Sequence, residues 1–362
     1  MAPRNLVWSS LRDLFGGGSA RRRRSRGKRP ATSFCAQFDG GDGGIGRRAA
    51  APLGGYEALE VRMMFAAPQG DFGFDDATGT ITRYFGTGGD VEIPATINGK
   101  AVTSIGTNAF LHTYSSGLTG ITIPEGVSSI GDYAFYGCIG LTSIMLPAGI
   151  TSIGAYAFGG CRGLTSLAIP DGVTSIGNSA FSDSGLTSLA IPAGVTSIGD
   201  SAFRNCFDLT SIMLPEGVTS IGNSAFSGCR VLTSIAIPAG VTSIGDSAFY
   251  NCNGLTSITL PASVTSIGND AFSGCSGLKS LSIPAGVTNI GGHAFYACGG
   301  LTSIAIPAGV TNIGDAAFSY CRGLTSLAIP EGVTSIGNSA FSYSGLTSIM
   351  LPAGITSIGD FA

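Results

Sequence analysis

Nine cysteines, two histidines and 22 acidic residues are the groups in this 362-residue chain with chemistry to offer. Eight of the cysteines, Cys138, Cys161, Cys206, Cys229, Cys252, Cys275, Cys298 and Cys321, each stand three residues after a phenylalanine. So regular a thiol column would suit a metal ladder or chained disulfides. Zinc-type sites, however, draw on close pairs such as C-x2-C, and none occurs. The expected role is a buried cysteine acting as a small hydrophobe.

A second column reads Asp132, Ala155, Asn178, Asp200, Asn223, Asp246, Asn269, Gly292, Asp315, Asn338, Asp360. Carboxylates in a row could hold Ca²⁺, but no two successive members are both Asp. Two carboxylates about 5 Å apart would repel by roughly 1 kcal/mol even in water. Asn caps a helical turn as well as Asp does, so the alternation predicts capping with repulsion avoided. The histidines, His112 and His293, are too far apart along the chain's regular pattern to share a site. No G-x-x-x-x-G-K-[ST] or G-x-S-x-G motif is present. The stretch from Asp39 to Asp42 reads as linker rather than as a calcium loop. No catalytic, cofactor-binding or metal-binding residues are expected, and no enzyme.

Charge divides the chain. Residues 1–60 hold 11 Lys/Arg against 5 Asp/Glu, a net of +6, and residues 61–362 hold 8 against 17, a net of -9. The basic run RRRRSRGKR, Arg21–Arg29, is the one place where nucleic acid or an import receptor would be a partner. No aromatics interleave it, and Gly and Ser flank it, so residues 1–70 read as a disordered basic, Gly-rich region. A transit sequence stays open as an alternative. No apolar run reaches the roughly 18–20 residues of a membrane span, and no unbroken apolar signal core is seen. The expected location leans intracellular, cytoplasmic or nuclear, over the cell surface.

The columns exist because one sentence recurs. Units begin at Leu118, Leu141, Leu164, Leu186, Leu209, Leu232, Leu255, Leu278, Leu301, Leu324 and Leu346, in steps of 23 residues except two of 22. A fixed period of this size means a solenoid, in which a single unit cannot bury its own apolar face. L-T-S-I-x-I-P reads as a strand with Leu and both Ile inward, ended by a proline that has no N–H for a ladder. The glycine that usually follows is expected to take a positive φ. V-T-S-I-G reads as a second strand with two β-branched residues inward. D/N-x-A-F-x-x-C reads as one capped helical turn, with Ala and Phe filling the interior. The two 22-residue units drop one corner residue together with their Cys.

This 23-residue unit, T-S-I-x-I-P / V-T-S-I-G-x-x-A-F-x-x-C, resembles the BspA-type leucine-rich repeat family over roughly residues 79–362. GTITRYFGTGGDVEIPATINGKAVTSIGTNAF, residues 79–110, is similar to that family's irregular first unit, with Asn98-Gly99 as a hairpin signal. The resemblance implies a mainly β, right-handed solenoid with two short strands and a helical turn per coil. It also implies a binding role, often on cell surfaces, and no chemistry. The expected domains are 1–70 as above, 71–117 as an N-terminal capping unit, and 118–362 as the array.

Leucine-rich repeats usually bind through the outward residue of the first strand. Here that column is Thr122, Met145, Ala168, Ala190, Met213, Ala236, Thr259, Ser282, Ala305, Ala328, Met350. It carries no charge and no aromatic anchor of the kind hot spots favour. The threonine after each unit's Leu forms a nearly unbroken ladder, read as strand propensity and Thr–Thr pairing, with an ice-binding surface as the minor alternative. The function expected is a non-catalytic scaffold for protein–protein interaction, with cell-surface adhesion as the runner-up. The last unit presents Leu346, Ile349, Leu351, Ile355 and Ile358 without a following coil, which leads us to expect self-association there.

Overall fold

The computed structural model describes residues 67–111 and 117–362. Two strands per unit build a mainly-β solenoid, and the coil that starts at Leu232 shows how. Leu232, Ile235 and Ile237 are buried, while Thr233, Ser234 and Ala236 are exposed. The Val241 N–H then bonds the Pro238 carbonyl at 3.1 Å and closes a tight turn. Val241 and Ile244 are buried in the second strand. This is the inward set the sequence predicts.

The glycine of that turn behaves differently from expectation. Neither Gly240 nor its equivalents have a positive φ, and Ser263 occupies the same place in one coil. A turn of the commonest type needs no left-handed residue. What favours glycine is space: a Cβ on Gly240 would lie 3.2 Å from the Val218 carbonyl oxygen of the preceding coil. The glycine ending the second strand is tighter still. A Cβ on Gly245 would come within 2.8 Å of the Gly222 backbone, so successive coils can close to strand spacing only if that residue has no side chain.

The corner is a chain of tight turns, not a helical turn. Ala248, Tyr250 and Cys252 donate their N–H groups three residues back, to Gly245, Ser247 and Phe249. The amides between them, of Ser247, Phe249 and Asn251, donate instead to Asn269, Ala271 and Ser273 of the next coil at 2.7–2.8 Å. Ser247 (φ 55) and Asn251 (φ 56) are left-handed, which stops a helix from propagating and turns alternate amides outward to the neighbour. At the second of these positions the sequence mostly supplies residues that tolerate αL: Gly137, Gly160, Asp183, Asn205, Gly228, Asn251, Gly274.

At the N-terminal side, β1 (Phe72–Asp75) pairs antiparallel with β2 (Thr80–Tyr84). β3 (Gly89–Glu92) precedes a hairpin of β4 (Thr96–Ile97) and β5 (Lys100–Ala101). Its turn residues Asn98 (φ 51) and Gly99 (φ 75) are left-handed, as the hairpin signal requires. β6 (Ser104–Ile105) joins β2 in parallel, and β7 (Leu118–Thr122) joins β3. From there the second strands run on as a parallel ladder. The first sheet, six strands counting the antiparallel β1, ends at Ser175–Ile176, and a second of eight parallel strands runs from Ser197–Ile198 to Ser357–Ile358. The first strands pair in shorter groups.

A single file of rings fills the interior. Phe110, Phe135, Phe158, Phe181, Phe203, Phe226, Phe249, Phe272, Phe295 and Phe318 are fully buried. Successive centroids lie 5.0–5.6 Å apart, and Tyr84 heads the file at 5.1 Å from Phe110. In the short units the cysteine is replaced rather than deleted. Ser184 is buried and donates its N–H to Phe181, as each Cys does to its own Phe; Ser344 does the same toward Phe341. The missing residue is the one that follows.

Candidate functional site

Each column of the repeat has a definite environment, and these environments sort the candidates. All eight repeat cysteines are buried as thiols, with no disulfide among them. From Cys206 onward every one donates its Sγ–H to a phenylalanine carbonyl of the preceding coil, as Cys252 does to Phe226 at 3.1 Å. Burial pushes the Cys206 thiol up to about 11 and the Cys321 thiol up to about 12. It also holds Cys229, Cys252, Cys275 and Cys298 well above the ordinary thiol value. Cys161 is raised first by its hydrogen bond with Cys138 and then by burial. Thiolate is the reactive form, so these sulfurs are packing groups held in the protonated state.

The Asp/Asn column caps the coils, but across the stack. Asp200 Oδ1 accepts the Asn223 N–H at 2.7 Å, Asn223 Oδ1 accepts the Asp246 N–H at 2.8 Å, and Asp246 Oδ1 accepts the Asn269 N–H at 2.7 Å. Asp132, Asn178, Asn269, Asp315 and Asn338 act in the same way. An amide and a carboxylate oxygen serve equally, which accounts for the alternation in the sequence. Among the described residues no group of three His, Cys, Asp or Glu side chains is placed to hold a metal ion.

The threonine ladder is likewise turned onto the backbone. Thr142, Thr187, Thr210, Thr256 and Thr302 donate their hydroxyls to the equivalent carbonyl one coil earlier, at 2.9–3.2 Å. His293 sits in the corner beside Tyr296, with ring centroids 5.6 Å apart. His112, the basic run Arg21–Arg29 and the Asp39–Asp42 stretch lie outside the described residues.

The outward strand column is where the side chains point to solvent. Met145, Ala168, Ala190, Met213, Ala236, Thr259, Ser282, Ala305, Ala328 and Met350 are exposed, and Thr122 is half-buried. Pairing aligns them across coils: Thr122 with Met145, Ala190 with Met213, Ala236 with Thr259, Ser282 with Ala305. Each is accompanied two residues earlier by Ser or Gly on the same face (period 2,). The face bears two shallow grooves. One of about 560 Å³ lies over Ser234, Ala236, Ser257 and Thr259 with Glu216 at its edge. One of about 410 Å³ lies over Ser143, Ser166, Ala168, Ser188 and Ala190.

Two features escaped the sequence reading. Tyr133 and Tyr156 stack at 4.7 Å with Tyr136 set edge-on at 5.6 and 6.0 Å, an aromatic patch on the corner. Arg230 lies over the exposed Phe207 ring at 4.8 Å. The signal was available as departures from the repeat, tyrosine where serine is the commonest residue, but it takes the stack to bring those departures together.

The family model described as "BspA type Leucine rich repeat region (6 copies)" matches residues 91–209, 129–255, 196–325 and 243–362. Among solved structures, a leucine-rich repeat protein from Bacteroides ovatus ATCC 8483 is 30% identical with a TM-score of 0.57, over 80% of this chain and 88% of its own. A leucine rich cell surface protein from Faecalibacterium prausnitzii A2-165 is 31% identical with a TM-score of 0.59, over 82% of this chain and 94% of its own. No curated protein matches. No helix among the described residues is long and apolar enough to cross a membrane.

Proposed function

The chain belongs to the BspA-type leucine-rich repeat family, and from that premise we propose that it is a non-catalytic scaffold that contacts a protein partner through the outward strand column. The observation that carries this reading is the contrast in commitment. Thiols, Asp/Asn oxygens and threonine hydroxyls are bound to neighbouring coils, whereas the column from Met145 to Met350 projects outward from strands in common register. A surface of small groups with three methionines suits a broad, adaptable contact more than a tight pocket. The hydroxyls of Thr142, Thr187, Thr210, Thr256 and Thr302, already donated to carbonyls, give no support to an ice-binding role.

In this reading residues 1–70 are a basic extension, residues 71–117 cap the array, and residues 118–362 form the contact surface. The similar Faecalibacterium protein is described as a cell surface protein, which favours surface adhesion as the setting over the intracellular one the sequence suggested.

The test is site-specific crosslinking. A photoreactive residue at Ala236, on the strand face, should capture the partner, and the same residue at Ser276, in the exposed turn between the corner and the next strand, should not. Capture at Ser276 with none at Ala236 would move the contact to another face.

A further inference from the structure

The described residues contain three methionines, Met145, Met213 and Met350, and all three stand in the outward column, 69%, 73% and 86% exposed. Their register partners are small. Met145 lies beside Thr122, Met213 beside Ala190, and Met350 bridges to Ala328. Neighbouring coils therefore place no bulk over the thioethers. The other sulfur atoms among the described residues are arranged oppositely: all eight repeat cysteines are buried and hydrogen-bonded into the stack.

We propose that Met145, Met213 and Met350 are the oxidant-accepting sites of the solenoid, each converted to its sulfoxide by a two-electron oxidant of the peroxide class while the eight buried thiols stay reduced. In the step, the thioether lone pair attacks one peroxide oxygen and forms the S–O bond. The O–O bond breaks, and the departing hydroxide takes up the remaining proton as water. Sulfur is oxidised by two electrons and the peroxide is reduced by two. The thioether needs no deprotonation for this. A cysteine must first become thiolate and be reached by the oxidant, and burial denies both. The product is polar where the thioether was apolar. If the outward column is the contact surface proposed above, its three large apolar groups are therefore redox-variable; that consequence rests on the earlier reading, and the oxidation sites do not.

The test uses the full-length protein and hydrogen peroxide. Peptide mapping over time should show one oxygen gained at each of Met145, Met213 and Met350, at rates within about tenfold of free methionine. The thiols should remain countable after unfolding, and the β circular dichroism should be unchanged. Met1, Met63, Met64 and Cys35 are scored on their own peptides, and the thiol count refers to the eight repeat cysteines. Met213→Leu should remove the oxygen at that peptide alone. A lag of more than about tenfold at any of the three, thiol loss before sulfoxide formation, or loss of fold as sulfoxide accumulates would each overturn the inference. None of these readouts involves a partner, so their failure leaves the proposed contact role standing, and failure of crosslinking at Ala236 leaves this inference standing.

Discussion

Around every coil the corner and the first strand treat a solvent-side position in opposite ways. In the corner, the outward-facing Asp246 reaches along the stack and binds the Asn269 amide, and alternate backbone amides do the same. On the strand face, the side chains of Ala236 and Met213 are exposed and carry no hydrogen-bonding group to bind the neighbouring coils. One repeat therefore contains columns fixed by stacking and a column left free of it. Uniformity means different things in the two. In a stacked column each residue must match the coil before and after, so repetition is a structural demand. In the free column repetition makes a surface of small groups, Ala, Ser and Thr, from which only the three methionines project further.

The sharpest way to break this comparison is to charge the buried side. A thiol with a raised folded-state pKa favours folding while it is protonated. That contribution is complete below the unfolded thiol's value of about 9, and it disappears as pH climbs through the folded value, about 11 for Cys206 and about 12 for Cys321. One pKa unit corresponds to about 1.4 kcal/mol per thiol, and the column contains several such groups. Urea midpoints should fall steeply between pH 9 and 11, and thiolate absorbance from the eight repeat cysteines, measured in a Cys35→Ser background, should rise only as β circular dichroism is lost. Thiolate appearing near pH 9 in that still-folded protein would show the column to be open.

A smaller break is local. Phe226 lies 5.5 Å from both Phe203 and Phe249 and is fully buried. Phe226→Ala should cost about 3–5 kcal/mol, because a rigid stack on both sides limits collapse into the cavity. Chemical denaturation followed by hydrogen exchange should show the loss centred on the adjacent coils, since a solenoid's contacts are with nearest neighbours. A cost under about 1 kcal/mol would mean the file of rings relaxes around the gap.

The same contrast explains what could be read from the sequence. Burial of Leu232, Ile235, Val241, Ile244 and Phe249 was legible, because it follows from the period of one unit. So was the Asn98-Gly99 hairpin, whose signal is local. The partner of Asp246 was not, because the amide it binds is 23 residues away, and nothing within one unit specifies it. The meaning of two glycines was also hidden. Gly240 looked like a left-handed turn residue and Gly245 like an ordinary strand end, yet both are set by how closely the previous coil approaches. The outward column could be named residue by residue, but the grooves over Ser234 and Ser143 arise from how strands of different coils pair.

The gentlest perturbation sharpens the comparison from the other side. Ala236 is exposed, pairs in register with Thr259, and is followed inward by Ile237, which stays buried whatever position 236 carries. A lysine there can extend into water without displacing a neighbour, because Thr259 is small and the nearest acid on the groove, Glu216, is of opposite sign. Ala236→Lys should therefore change stability by no more than about 0.5 kcal/mol, the range of an ordinary surface substitution. Urea midpoints of the two proteins at neutral pH make the measurement. A loss above about 1 kcal/mol would show that the free column is itself part of the stacking. The distinction between corner and strand face would then fail at the residue where it is drawn most clearly.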